Sequence, residues 1–273
     1  MLSIIFRETI KMTEPNISFN DGASYEKMMG KWSQITGELF LEWLKAPARL
    51  DWLDVGCGNG AFTETLIVRC FPTSISGIDP FEGQLKYARE RPACRHASFQ
   101  LGDAIKLPYA DDQFDAAVMA LVIFFVPEPA KGVSEMFRVV RPGGLVSAYV
   151  WDILEGGFPL AAIQDQLSAM GIEHKLPPSS SSSRMTALND LWRNAGLISI
   201  ETTEITVRRR FTDFQEYWNT AKLSSTLGPV VKSMNSTEQE ALKLSVQNRL
   251  QVKDHGEVEI SARANAIRGQ VPH

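Results

Sequence analysis

The feature that most constrains this chain is a glycine-rich turn between a short apolar run and a helical segment. Residues 50–55 are the apolar run, Gly56–Gly60 alternate glycine with other residues, and helical spacing resumes over 61–70. Glycine has no Cβ atom and accepts positive φ, so a ligand can lie directly against such a turn. The following helix adds unpaired N–H groups and a partial positive charge. The pattern predicts a strand, a ligand-binding turn and a helix, although such turns also occur for structural reasons alone.

Strand and helix segments keep alternating after this turn. Apolar runs predict strands at Ser74–Ile78, Ala97–Leu101, Phe114–Phe125 and Leu145–Trp151, and helical spacing predicts helices at Gly83–Arg91 and Lys131–Val140. A long apolar run such as Phe114–Phe125 is typical of a parallel strand covered on both faces. The alternation predicts an α/β fold with a doubly wound, mostly parallel sheet.

The alternation loosens in the C-terminal part of the chain. Residues 153–183 contain glycines, two adjacent prolines and the serine run Ser179–Ser183, a composition that predicts a mobile surface loop. Ile198–Phe211 and Val258–Arg268 alternate as strands do, with helical periodicity between them. We therefore expect residues 212–253 to form a helical insertion, or lid, before the last strand.

Three acidic residues stand at or directly after predicted strand ends. A carboxylate at Asp79 can accept both hydroxyl protons of a ribose; the alternative is a solvated acid that caps the next helix. Asp103 can reach the exocyclic amine of an adenine while Ala104 leaves room for the ring, or it is an ordinary turn carboxylate. Asp54 can orient the glycine turn or attract a ligand's ammonium group, or it makes an ordinary strand-end hydrogen bond.

The order of these motifs resembles that of the class I S-adenosylmethionine-dependent methyltransferases. The matching segments are Leu53–Gly60, Gly77–Pro80, Gly102–Ala104, Leu107–Pro108, Phe114–Asp115 and Arg138–Gly144. Within that class they resemble the small-molecule branch that includes the ubiquinone/menaquinone C-methyltransferases (methyltransferase type 11). The resemblance implies a Rossmann-like sheet of seven strands, S-adenosylmethionine as cofactor, S-adenosylhomocysteine as product, and no metal.

The same resemblance assigns the cofactor contacts. It implies that the methionine end lies over Gly56–Gly58, the ribose at Asp79, the adenine at Asp103 and Ala104, and that Leu121 passes beneath the sulfonium side. Apolar residues at three- and four-residue spacing predict a helix over residues 23–46, and this helix resembles the N-terminal segment that usually covers the cofactor in this branch. The expected cofactor-binding residues are Tyr25, Trp32, Asp54, Gly56, Cys57, Gly58, Asp79, Pro80, Asp103, Ala104 and Leu121.

We expect a single methyltransferase domain over residues 23–273, with 53–151 as its cofactor-binding half and 1–22 as a poorly ordered leader. A net charge of −4 and a pI of about 5.7 argue against nucleic acid as a partner. No run approaches the roughly 18 apolar residues of a membrane span. Three cysteines without Cys-x-x-Cys spacing fit a reducing compartment, so a cytoplasmic location is the default expectation.

A methyl group on a sulfonium is already electrophilic, so such an enzyme mainly aligns a nucleophile and excludes water. The four histidines lie outside the motifs, and no catalytic base is named. The Asn/Asp-Pro-Pro-Tyr/Phe motif of amino-methylating enzymes is absent after the fourth strand. Phe124 and Phe125 there suggest an apolar acceptor pocket or plain core, and Phe214, Tyr217 and Trp218 suggest either a lid over the substrate or core packing.

The leading hypothesis is methyl transfer to a small, apolar or aromatic acceptor. One alternative is a protein that binds S-adenosylmethionine or a partner without catalysis. Another is an NAD-dependent oxidoreductase, but the Gly-x-Gly-x-Gly spacing departs from the Gly-x-Gly-x-x-Gly of dinucleotide binders. The sequence leaves open which acceptor is used, which atom is methylated and which oligomer forms.

Overall fold

Seven strands form one sheet in the computed structural model, which describes residues 26–250 and 255–273. The strands are β1 (Asp51–Val55), β2 (Ser74–Asp79), β3 (Ser98–Leu101), β4 (Phe114–Ala120), β5 (Val140–Trp151), β6 (Ile198–Phe211) and β7 (Val258–Gln270). Their order is β3-β2-β1-β4-β5-β7-β6, and only β7 runs antiparallel to its neighbours. This confirms the mostly parallel seven-stranded sheet.

The helices cover this sheet. In the described residues they are α1 (Lys31–Leu44), α2 (Ala61–Cys70), α3 (Glu82–Glu90), α4 (Pro129–Val139), α5 (Ala161–Ala169), α6 (Met185–Asn194), α7 (Phe214–Ala221), α8 (Leu227–Ser233) and α9 (Ser236–Arg249). A short π-helical turn, Glu26–Gly30, precedes α1. Strands β1 and β4 are buried at nearly every position. Such strands need apolar cover on both faces, which the doubly wound arrangement supplies.

Strand β4 ends earlier than the sequence predicts. The prediction of one strand over Phe114–Phe125 is wrong beyond Ala120, because Leu121 adopts a φ of +61° and the chain then turns through a 3₁₀ helix at Ile123–Phe125. The Leu121 N–H donates to the carbonyl of Tyr149 at 2.8 Å. The turn is as deeply buried as the strand. The apolar run therefore continues past the end of the strand, so hydrophobicity alone does not show where the strand ends.

The surface loop that composition predicts over residues 153–183 is only partly present, because residues 171–176 are largely exposed and irregular but the segments on either side are packed. They contain α5 and a 3₁₀ turn at Ser180–Ser183 whose last two side chains are buried. The Ser179 hydroxyl donates to the carbonyl of Val126 at 2.7 Å, and the Ser179 N–H donates to that of Phe124 at 3.0 Å. Serine is common in loops, but here the serine hydroxyl donates the hydrogen bond that a buried carbonyl cannot obtain from water. The serine run is therefore packed against the turn that follows β4.

Helices α7, α8 and α9 lie between β6 and β7, in the part of the chain expected to form the insertion. Asn235 and Glu238 form a reciprocal capping box at the start of α9. Residues 251–253 of the expected lid, and the expected leader, fall outside the described residues. The domain boundaries and the role of a lid stay predictions. No helix in the described part of the chain is long and apolar enough to cross a membrane.

The hydrogen bond of Ser179 gives a test of the packed serine run. We expect Ser179→Ala to lower the free energy of unfolding by about 0.5–1.5 kcal/mol, because the variant removes a buried donor from the Val126 carbonyl. Ser181→Ala, at an exposed position of the same run, is the matched control and should change stability by less than about 0.5 kcal/mol. Urea unfolding measures both. Equal effects would contradict the ordered packing of Ser179.

Candidate functional site

The glycine loop has a backbone conformation that favours glycine at three positions. Gly56, Gly58 and Gly60 have φ values of +74°, +52° and +78°, a region that L-residues with a Cβ atom rarely adopt. A Cβ atom on Gly56 would lie 2.5 Å from the side chain of Val122, whereas one on Gly58 would meet no atom within 4 Å. Gly56 is therefore needed for packing, and Gly58 leaves an open backbone surface. The Gly56 N–H continues the sheet by donating to the carbonyl of Ile78 at 2.7 Å.

Asp79 holds this loop from the end of β2. Its Oδ2 accepts the N–H of Gly58 at 2.9 Å, and its Oδ1 accepts the N–H of Phe81 at 2.9 Å. The side chain is buried, and desolvation raises its pKa to about 6 against the lowering effect of these two hydrogen bonds. Each carboxylate oxygen retains a further lone pair. Asp79 is thus a buried acceptor beside the loop rather than a solvated acid.

Asp54 lies at the other side of the loop and is fully buried. Its Oδ2 accepts the hydroxyl proton of Thr63 at 2.6 Å, and its Oδ1 has no hydrogen-bond partner among the described residues. Burial raises the pKa of this carboxyl group to about 7, with a further upward contribution from the charge of Asp79. A buried acceptor without a donor costs free energy. The free oxygen of Asp54 therefore suits a cationic or hydrogen-bond-donating ligand group.

These groups surround one cavity of about 130 Å³ that opens to solvent. Its walls come from the glycine loop, the ends of β2 and β4, and side chains of α1 and β5. Seven of the predicted cofactor residues line it: Asp54, Gly56, Cys57, Gly58, Asp79, Pro80 and Leu121. Sequence reasoning missed Ser33, Gln84 and Tyr149, which also line the cavity. They lie in ordinary helix and strand segments, so no local motif marks them.

The remaining predicted residues do not line this cavity. Trp32 is buried and packs edge-on against Trp151, with ring centroids 6.3 Å apart. Asp103 is exposed, and its Oδ1 accepts the N–H of Ile105 at 3.1 Å, as a turn carboxylate does. Ala104 is half-buried next to it. Their expected contacts with an adenine, and that of Trp32 with the cofactor, stay predictions.

Tyr25 lies outside the described residues, but its neighbour Glu26 is tied to the glycine loop. The Asn59 side-chain amide donates to Glu26 at 2.8 Å, and the Arg91 Nε–H donates to the carbonyl of Asn59 at 2.6 Å. The Arg91 guanidinium also pairs with Glu26 and with Glu64. The segment before α1 is thereby fastened beside the loop. Its partners are distant in sequence, so no spacing rule reveals them.

A second, smaller cavity adjoins the first, because Leu121 and Phe125 line both. Its other walls include Phe124, Trp151 and the residues between α7 and α8, Ser224–Thr226. Phe124 and Phe125 thus form cavity wall as well as core. In the described residues no group of three or more His, Cys, Asp or Glu side chains is placed to hold a metal ion.

The aromatic residues of α7 do not line either cavity. Phe214, Tyr217 and Trp218 are buried, and Tyr217 packs against Phe211 with ring centroids 5.3 Å apart. Phe214 and Trp218 stack at 6.3 Å. The sequence left open whether these residues form a lid over the substrate or pack in the core, and the contacts support core packing.

Comparison with known proteins gives matches over the same segment. Residues 53–148 match the model of a family described as a methyltransferase domain. A 2-methyl-6-phytyl-1,4-hydroquinone methyltransferase of Oryza sativa subsp. japonica is 38% identical over 93 residues, which are 34% of this chain and 27% of that protein. A demethylmenaquinone methyltransferase of Staphylococcus aureus is 32% identical over 127 residues, 46% of this chain and 51% of its own length. The chain thus spans about half of these relatives or less.

A solved structure agrees on the fold. The phosphoethanolamine N-methyltransferase 2 of Haemonchus contortus, determined in complex with S-adenosyl-L-methionine, superposes with a TM-score of 0.57 at 15% identity, over 92% of this chain and 57% of that one. At this identity the likeness concerns the fold alone. The matched segment, residues 53–148, contains every motif on which the resemblance to this family rests.

The burial of Asp54 gives a pH-dependent test of the site. Its folded pKa of about 7 lies above the ordinary value of 3.8 for an aspartate, so the stability it contributes is full below about pH 4 and is lost as the pH rises through about 7. We expect the free energy of unfolding to fall between about pH 5 and about pH 8. Asp54→Asn cannot ionise at this position and should reduce the fall, leaving the part that the raised pKa of Asp79 contributes.

Urea unfolding at the two pH values measures the effect. Asp190→Asn, at an exposed carboxylate, is the control and should keep the slope of the unchanged protein. An Asp54→Asn variant with an unchanged slope would show that Asp54 does not hold its proton in the folded state.

Proposed function

We propose, from the premise that residues 53–148 match a methyltransferase domain, that this protein transfers a methyl group from S-adenosylmethionine to a small, apolar or aromatic acceptor. The observation that carries the proposal is the grouping around one cavity of an open glycine backbone at Gly58 and two buried carboxylates, Asp54 and Asp79. Neither carboxylate makes an ion pair with any cation in the described residues.

The chemistry of the cavity fits this cofactor. S-adenosylmethionine carries an ammonium group and a sulfonium, and buried carboxylates favour nearby cations. The free Oδ1 of Asp54 can accept a proton of the ammonium group. Asp79 keeps one lone pair on each oxygen after its bonds to Gly58 and Phe81, so it can accept ribose hydroxyls as well. The open face of Gly58 permits close approach to the backbone.

When bound, the cofactor would supply a methyl group attached to a positively charged sulfur. The lone pair of a nucleophile forms the new bond to the methyl carbon, the carbon–sulfur bond breaks, and the sulfur becomes a neutral thioether. The residues of this chain then have two tasks. Leu121 and Phe125, in the wall shared by both cavities, keep water away from the place where the reactants meet. The two cavities hold the reactants side by side, and such alignment can supply about 7 kcal/mol or more of the lowered barrier.

The nature of the second cavity supports an apolar acceptor. Its walls include Phe124, Phe125, Trp151 and Phe158, which offer flat apolar surfaces. The two curated relatives carry hydroquinone and menaquinone in their names. Because the chain matches only part of each relative, the acceptor is assigned as a chemical class rather than as a particular quinone.

The central experiment compares two ligands. Isothermal titration with S-adenosylmethionine should give one-site binding, and titration with NADH should give none. Binding of NADH without binding of S-adenosylmethionine would overturn the proposal. Formation of S-adenosylhomocysteine after addition of metabolite extracts then separates an enzyme from a protein that binds the cofactor without catalysis.

Asp79 should be essential for affinity. We expect Asp79→Asn to weaken S-adenosylmethionine binding by about 1.5–3 kcal/mol, roughly 10- to 150-fold, because the variant loses a charged hydrogen-bond acceptor. Asp103→Asn is the companion variant. A change below about twofold would fit its exposed position, and a loss like that of Asp79→Asn would establish the adenine contact. Unchanged affinity in Asp79→Asn would remove Asp79 from the site.

The affinity should also depend on pH through the raised pKa of Asp79, about 6. Below that value the carboxyl group is mostly protonated and accepts ribose hydroxyls poorly. We expect the affinity for S-adenosylmethionine at about pH 5 to be about tenfold lower than its constant value at higher pH, where Asp79 is ionised. In Asp79→Asn this part of the dependence should disappear, leaving only the contribution of Asp54. Titration calorimetry over the pH series decides the matter.

A further inference from the structure

We propose that the methyl acceptor is an organic anion with an apolar body, bound in the second cavity, and that Lys175 recognises its negative group. This inference rests on the proposed function and adds the charge of the acceptor to it. The observation behind it is that an otherwise apolar or uncharged cavity carries one cation. Among the described residues that line the second cavity, Lys175 is the only charged one.

Lys175 is available for a ligand. Its side chain is exposed, and it makes no ion pair with any described residue. It lies between α5 and α6, in the stretch that the Ser179 hydrogen bonds attach behind β4. Most lysines at a protein surface are simply solvated, but this one stands at the edge of an apolar cavity. There, a bound carboxylate could pair with it at lower dielectric than in bulk water.

The interior of the cavity adds hydrogen-bond donors without negative charge. The ring of Trp151 forms part of the wall, and its indole N–H is buried without a hydrogen-bond partner in the described part of the chain. The amide of Gln164 lies in the same wall and is nearly buried. A ligand oxygen can satisfy such donors, whose burial otherwise costs free energy. Oxygen-bearing apolar molecules are thus preferred to plain hydrocarbons.

The distribution of charge between the two cavities points the same way. Asp54 and Asp79 line the first cavity, whereas no aspartate or glutamate is among the described residues lining the second. The first therefore attracts the cationic cofactor, and the second does not repel an anion. An anionic acceptor is also drawn towards a sulfonium in the neighbouring cavity. A neutral acceptor would gain nothing from either charge.

The test uses two probes that differ by one carboxylate, 6-hydroxy-2-naphthoate and 2-naphthol. Titration calorimetry is done with full-length protein saturated with S-adenosylhomocysteine. We expect the naphthoate to bind about tenfold more tightly than the naphthol, the size of one favourable charged contact. Lys175→Met should abolish this preference and leave naphthol binding unchanged, while Lys175→Arg should retain it.

Lys232→Met, at an exposed lysine of α8 that lines neither cavity, is the matched control and should keep the preference. Equal affinity for the two probes, a preference that survives Lys175→Met, or binding of neither probe would overturn the inference. Each of these outcomes leaves the proposed function standing as long as S-adenosylhomocysteine binds. If S-adenosylhomocysteine itself fails to bind, the proposed function falls first.

Discussion

The candidate site depends on one buried carboxylate. Asp79 accepts the N–H of Gly58 from the glycine loop and the N–H of Phe81 from the entry to α3, so it joins three segments that meet only at the end of β2. Hydrogen bonds to an ionised group contribute about 1.5–3 kcal/mol, more than bonds between neutral groups. Asp79 fixes the centre of the loop at Gly58, while the bond of Gly56 to Ile78 and those of Asn59 to Glu26 and Arg91 hold its two ends. The burial that raises the pKa of Asp79 also strengthens the bonds that it accepts.

A second constraint follows from the first. Asp54 and Asp79 line the same cavity, and the negative charge of Asp79 adds to the burial that raises the pKa of Asp54. Thr63 satisfies one oxygen of Asp54 and leaves the other without a donor in the described residues. A protein gains no stability from two adjacent buried acids with so few partners. In the proposed function, the cationic cofactor relieves the repulsion and the desolvation together.

Much of this was accessible from the sequence because its causes are local. The glycine loop and Asp79 follow from residue types whose backbone or charge preferences act within one βαβ unit. The end of β4 was not accessible, because a buried turn after Ala120 is as apolar as a strand. Nor was the fastening of Glu26 by Arg91, since only the folded chain brings these residues together. Composition also predicted a surface loop at Ser179, because its hydrogen bond goes to a carbonyl that is distant in sequence.

Leu121 links the local backbone conformation to the shape of the candidate site. A residue with a Cβ atom in the left-handed region costs roughly 1–2 kcal/mol, yet Leu121 has a φ of +61° and is buried. Its N–H bond to Tyr149 and its packing hold it there. The turn ends the strand at the boundary of the two cavities, because Leu121 lines both, and it places an apolar side chain in their common wall. The strain is therefore located at the point where the proposed transfer needs the two reactants adjacent and dry.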